Sequence, residues 1–150
     1  MPDSLIQDRD TSRQFFLDVW HKYRNRQSLQ PLEKVILEVI LEHPEYHHLL
    51  EDPDALQREF SPDSGQTNPF LHMGMHITIR EQASIDRPAG IAAIYQQIVN
   101  KAGSPYAAEH EMLECLGESL WLAQRHNTLP DESRYLECLQ RLVKTSVNKS

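Results

Sequence analysis

Prolines divide this chain into segments of helical length. The clearest ones follow a residue that can accept a hydrogen bond from a helix N-terminus, or a short polar turn, as in Asn68-Pro69, Asp86-Arg87-Pro88 and Ser104-Pro105. Proline at the first helical position costs no hydrogen bond, because the N–H that it lacks would have no partner inside the helix. These prolines therefore predict the starts of consecutive helices rather than breaks within them.

Apolar residues recur at helical spacing inside the segments, as Phe16, Val19 and Trp20 do in the first one. No window shows the alternation of a strand bounded by hairpin turns. The predicted helices cover residues 11–24, 31–42, 45–50, 69–84, 88–101, 105–126 and 130–144, with a turn near 53–60 and a surface loop at 61–67. We therefore expect an all-α, single-domain bundle over residues 1–150, with about five main helices, additional short helices and frayed termini at about 1–10 and 146–150.

The charge and the apolar runs limit the classes of partner. The net charge of −7 argues against a general polyanion binder, because nonspecific phosphate binding draws its affinity from clustered Lys and Arg. No run reaches transmembrane length, and the N-terminus has neither a basic opening nor an apolar export segment. We expect a cytoplasmic protein that binds neither nucleic acid nor membranes. Assembly into a homo-oligomer stays open.

The two cysteines, Cys115 and Cys138, both lie within segments of helical pattern. A cysteine-dense, loop-rich framework is absent, which favours two free buried thiols, with pairing of the two as the alternative. The sequence contains no Cys-x-x-Cys, so a thiolate zinc site or a redox dithiol has little support.

His72 and His76 lie four residues apart in a mostly apolar run. Four residues make about one helical turn, so both imidazoles leave the same face of the helix. A pair at this spacing can chelate one transition metal through neutral nitrogens, although the spacing alone occurs by chance in many helices. A buried imidazole otherwise needs a carboxylate or a backbone carbonyl as its partner.

A second His/carboxylate pair, His110 and Glu114, lies one turn apart in the long late helix. Taken alone, this pair is most simply a charge-assisted contact between helices. Together with His72 and His76 it predicts a sulfur-free metal site with His72, His76, His110 and Glu114 as ligands. Such a nitrogen-rich set suits Zn, Fe, Ni or Mn, and the alternative is that the protein has no cofactor.

Further residues can contribute to this site as additional ligands or as groups that orient the ligands, namely His43, His47 and Glu81. Pro44 makes a continuous helix from His43 to His47 doubtful. Arg80 is expected to form a structural ion pair with Glu81 or Asp86. Trp121 is most simply a core anchor, and catalytic residues stay unknown.

Several sequence blocks, taken in order, resemble the uncharacterised DUF1841 family of proteobacterial proteins. The blocks are His43-Pro44-Glu45-Tyr46-His47, Asn68-Pro69-Phe70-Leu71-His72, Arg80-Glu81-Gln82, Asp86-Arg87-Pro88, Ala108-Glu109-His110, Leu116-Gly117-Glu118 and Trp121-Leu122-Ala123-Gln124-Arg125. The resemblance covers nearly the whole chain and implies a small bacterial helical protein. It implies no activity, because the family has none established.

Two functions follow from the sequence with about equal support. One is a metal-binding protein with a buried His/carboxylate site, which could support metal-activated hydrolysis or small-molecule transfer if a coordination position stays open. The other is a non-enzymatic interaction protein whose histidines form structural hydrogen bonds. The sequence does not decide whether the protein is an enzyme.

Overall fold

The structure is a computed structural model that describes residues 9–60 and 68–147. The predicted loop at 61–67 and the outermost terminal residues lie outside the described residues. Six α-helices longer than ten residues and two short helices form the described chain. They are α1 (Arg9–Arg24), α2 (Pro31–Leu41), a 3-10 helix (Pro44–Tyr46), α3 (His47–Leu50), α4 (Pro69–Ile85), α5 (Ile91–Ala102), α6 (Pro105–His126) and α7 (Glu132–Val147).

The prediction of an all-α fold is confirmed, since the described residues contain helices and turns but no strand. Prolines begin α2, α4 and α6, as the sequence predicted. Within the described residues, no helix is both long enough and apolar enough to span a lipid bilayer.

The chain forms two compact units, Met1–Ile77 and Thr78–Ser150. The assignment of residues 1–150 to one domain stays a prediction. In the first unit, α1 packs against α2 and α3. Its core consists of buried apolar side chains, among them Phe16, Val19, Trp20, Ile36, Val39, Ile40, Leu50, Phe70, Met73 and Ile77.

A buried cation, Arg13, ties the turn segment after α3 to this core. Arg13 is 3% exposed, and its guanidinium lies 4.9 Å from the Phe70 ring centroid. Its Nη1 donates to three backbone carbonyls at 2.8–3.2 Å, those of Ala55, Leu56 and Arg58. A buried guanidinium needs such acceptors because it cannot lose its charge. This contact holds the turn segment after α3 and the first turn of α4 against α1.

In the second unit, α5, α6 and α7 pack against one another. The buried apolar residues of this unit are mostly aliphatic: Ile79, Ile91, Ile94, Ile98, Ala108, Met112, Cys115, Leu116, Tyr135 and Leu139. Trp121 is not among them. Its side chain is 56% exposed and the Arg125 guanidinium lies 5.1 Å from its ring centroid, so the prediction of a core anchor is wrong. The indole lies on the exposed side of α6, whereas residues such as Met112, Cys115 and Leu116 form its buried side.

The fifth helix begins later than predicted, at Ile91 rather than at Pro88. The Asp86 carboxylate accepts hydrogen bonds from the backbone N–H groups of Gly90 and Ala92, both at 3.0 Å. Gly90 has a φ of 99°, a left-handed conformation that favours glycine. The segment before Ile91 is therefore a capped turn, and the first helical turn starts after the glycine.

The expectation of free thiols is wrong, because Cys115 of α6 and Cys138 of α7 form a disulfide. Their Cα atoms are 5.8 Å apart, which is an ordinary distance for a disulfide. Side-by-side packing of α6 and α7 brings the two residues together. The sequence could not predict this packing from two cysteines that are 23 residues apart.

Reduction of the disulfide should lower the free energy of unfolding. Opening a loop of this length increases the entropy of the unfolded chain, which corresponds to about 3 kcal/mol. Urea unfolding of the oxidised protein with and without a dithiol reductant measures the change. Cys138→Ser should match the reduced protein and should not respond to the reductant. Identical curves for oxidised and reduced wild type would contradict a stabilising disulfide.

Candidate metal site

The C-terminus of α2 places His43 in the core of the first unit. Helix α2 ends at Leu41, and Pro44 begins the 3-10 helix, so His43 lies in the bend between them. The His43 side chain is fully buried, and its Nδ1 lies 2.7 Å from the carbonyl oxygen of Val39. A carbonyl only accepts, so Nδ1–H donates and Nε2 carries the lone pair of the neutral ring. The His43 Nε2 is therefore in the form that binds a metal.

His47 has a different environment from His43. Its Nε2–H donates to the carbonyl oxygen of Ile40 at 2.8 Å, and its ring centroid lies 4.6 Å from that of Trp20. The Trp20 indole N–H in turn donates to the Glu51 carboxylate. His43 and His47 thus both donate to carbonyls in the last turn of α2, which also accept the backbone N–H groups of Glu42 and His43. The role of His47 in a metal site stays a prediction.

Helix α4 presents His72 and His76 one turn apart, as the sequence predicted. His76 is fully buried, whereas His72 is partly exposed. Their ring centroids are 5.0 Å apart. The apolar neighbours Met73 and Ile77 are both buried, so the helix is inserted into the core of the first unit with the histidine pair beside them.

His43, His72 and His76 form the three-histidine cluster of the first unit. The His43 ring centroid lies 5.1 Å from that of His72 and 4.9 Å from that of His76. Each residue offers a ring nitrogen, and these nitrogens all lie within 4.8 Å of one another. Ligands at about 2.0–2.1 Å from a tetrahedral zinc ion are about 3.4 Å apart, so small side-chain rotations would complete the coordination. The arrangement can hold a metal ion.

The surroundings of His43 favour its neutral imidazole. Burial lowers the pKa of His43, because the imidazolium loses its hydration, and a proton on His76 would lower that pKa further. The hydrogen bond to Val39 acts in the opposite direction but is the smaller effect. Metal ligands must be deprotonated, so a lowered pKa keeps His43 available to a metal near neutral pH.

Tyr46 lies beside the three-histidine cluster. Its ring is stacked on His43 with centroids 5.5 Å apart, and it meets His72 edge-on at 6.2 Å. The stacking restrains the rotation of His43. Sequence reasoning treated His43 as an additional or orienting residue, whereas the structure groups it with His72 and His76. The sequence signal for His43 was its position at the end of a predicted helix, directly before Pro44. No spacing rule connects that position to the histidines of α4.

The other predicted site residues, His110, Glu114 and Glu81, belong to the second unit. His110 and Glu114 are exposed on α6, and Tyr106 Oη lies 3.3 Å from His110 Nε2. Glu81 on α4 is partly buried, and this burial raises the pKa of its carboxyl. The roles of these three residues in a site stay predictions.

A second polar group is centred on Glu109, a residue of α6 that is fully buried. Its Oε2 accepts from Arg80 Nε at 2.7 Å and from the Tyr95 hydroxyl at 2.6 Å. Arg80 therefore pairs with Glu109 rather than with Glu81 or Asp86, because the fold brings α6 to the last turns of α4. Charge-assisted bonds of this kind neutralise a carboxylate that could not be buried alone. The group is a structural ion pair.

Removing the Glu109 carboxylate should destabilise the protein strongly. Glu109→Ala leaves the Arg80 guanidinium poorly hydrated and without its carboxylate, which should lower the free energy of unfolding by about 3–5 kcal/mol. Urea unfolding measures the loss. Glu118→Ala is the matched control, since it breaks a more exposed ion pair with Arg134 at 3.6 Å and should change stability little. Equal effects of the two substitutions would contradict the structural role of Glu109.

The fold and the three-histidine cluster define an all-α protein with a candidate metal site. The model of the DUF1841 family, described as a domain of unknown function, matches residues 8–141. The chain therefore belongs to the DUF1841 family. No curated protein and no solved structure matches the chain.

Proposed function

We propose that this protein binds one divalent transition metal ion through His43, His72 and His76. The observation that carries the proposal is the close approach of the three imidazoles, whose ring nitrogens lie within 4.8 Å of one another. The three rings come from two separate segments of the first unit, so their grouping does not follow from helical spacing alone. Nitrogen ligands without sulfur suit Zn, Fe, Ni or Mn, and geometry and availability would select among them.

The hydrogen bond of His43 supports the proposal independently. Histidine ligands of metals nearly always donate their second ring N–H to a carbonyl or a carboxylate, which fixes the tautomer and the ring orientation. His43 Nδ1 makes such a bond to Val39 at 2.7 Å. The ring is thus oriented before any metal arrives, which lowers the entropy lost on binding.

The metal content of purified protein tests the proposal. Protein freed of its affinity tag should hold one equivalent of metal by elemental analysis. His72→Ala/His76→Ala should weaken binding by more than about 100-fold, since loss of a ligand exceeds the 10- to 100-fold effect typical of groups around the ligands. His21→Ala removes an exposed histidine of α1 and is the matched control. Equal metal content in the double variant and the control would contradict the site.

The remaining sequence predictions are tested in the same assay. A loss of affinity in His110→Ala or Glu114→Ala would assign that residue to the metal, and unchanged affinity would leave the three-histidine cluster as the ligand set.

Metal at about 100 times its dissociation constant should also raise the free energy of unfolding by about 2.7 kcal/mol in wild type. His43→Ala should abolish this gain.

A second candidate function is a non-enzymatic interaction protein with structural histidines. The hydrogen bonds of His43 and His47 to the last turn of α2 favour this function, because both imidazoles make these bonds without a metal. Substoichiometric metal in wild type, together with unchanged binding in His72→Ala/His76→Ala, would support this function. Stoichiometric metal that is lost in the double variant would exclude it.

We also propose that the protein works in the cytoplasm, as its sequence predicts. A reducing cytosol keeps most cysteines as thiols, so the Cys115–Cys138 disulfide of the structure should be open there and should form only on oxidation. Rapid alkylation of intact cells, followed by mass spectrometry of the protein, should find both residues modified. A disulfide in the cell would contradict a cytoplasmic location and indicate an oxidising compartment.

A further inference from the structure

The ligand set of the proposed site carries no charge of its own. Among the described residues of the first unit, the cluster that could hold a metal contains imidazoles and neither a carboxylate nor a thiolate. A divalent ion on neutral imidazoles keeps its full charge of 2+. Burying an ion without a compensating charge costs several kcal/mol even after relaxation of the protein.

Carboxylates near His43 compensate this charge only weakly. Glu42 and Glu45 act electrostatically on His43, yet both side chains are exposed. Charges in water are screened and interact with a buried ion much less than a directly bound anion does. The site therefore favours an anion that binds the metal itself.

The three-histidine cluster is accessible from one side. His43 and His76 are fully buried, whereas His72 and Tyr46 are partly exposed. The Tyr46 ring lies against both His43 and His72, so these two partly exposed side chains lie together. A ligand would approach the metal from this side, because His43 and His76 are fully buried.

On these grounds we propose that the metal centre takes a small, exchangeable oxyanion or similar anion at a coordination position beside His72. This inference rests on the proposed metal site and names the class of ligand that the site accepts. In the exchange, the anion donates a lone pair to the metal and a bound water molecule leaves, so no electron is transferred and no covalent bond of the protein changes.

Cobalt(II) with azide as the probe tests the inference, because cobalt absorption in the visible range reports its coordination sphere. Titration of the cobalt-loaded protein with sodium azide, at constant ionic strength set by a weakly coordinating salt, should give a saturable change at one azide per cobalt. By linkage, azide at nine times its dissociation constant should strengthen cobalt binding about tenfold. Acetate, bicarbonate and sulfate should then displace azide, and the most effective competitor identifies the preferred oxyanion.

The outcomes separate this inference from the proposed function. Bound cobalt with neither a spectral change nor tighter binding in azide would overturn the anion site and leave the metal site standing. An azide response in His110→Ala but not in wild type would also overturn the anion site. His110 would then be the ligand that occupies this coordination position in the wild-type protein. Absence of cobalt binding would overturn the proposed function and with it this inference. His21→Ala should respond to azide as wild type does.

Discussion

The hydrogen bond from His43 to the last turn of α2 is the contact on which the candidate site depends. The Val39 carbonyl oxygen, in the last turn of α2, accepts the Glu42 backbone N–H and has a second lone pair, to which His43 Nδ1–H donates at 2.7 Å. The same bond determines which nitrogen of the ring keeps its lone pair. One hydrogen bond therefore holds the His43 ring at the end of α2 and leaves its Nε2 lone pair for a metal. The Tyr46 ring stacks on the same imidazole.

Burial of polar groups follows the same rule in both units. Arg13 in the first unit donates to three carbonyls, and Glu109 in the second accepts from a guanidinium and a hydroxyl. Each of these charges is paired or hydrogen-bonded, because a buried charge without partners would cost more than the fold gains from its apolar core. The three-histidine cluster differs in that its members are imidazoles, which can be buried neutral and can give up a lone pair to a metal.

Local patterns predicted the helices well because the determinants of a helix lie within a few residues. Proline and polar residues marked the starts of α2, α4 and α6, and the spacing of His72 and His76 gave their common face. Predictions that depended on packing were less successful. Arg80 pairs with a residue 29 positions away, Trp121 lies outside the core, and Cys115 is bonded to Cys138.

The sequence by itself determined an all-α chain and a helix that carries two adjacent histidines, because helical periodicity and proline position act over one or two turns. Only the tertiary structure decided that His43 joins this pair. Its position at the end of α2 is set by how α1, α2 and the turn segment fixed by Arg13 pack in the first unit, and residues far apart in sequence contribute to that packing. No spacing rule links the end of α2 to one face of α4, so the third imidazole could be placed only by the fold.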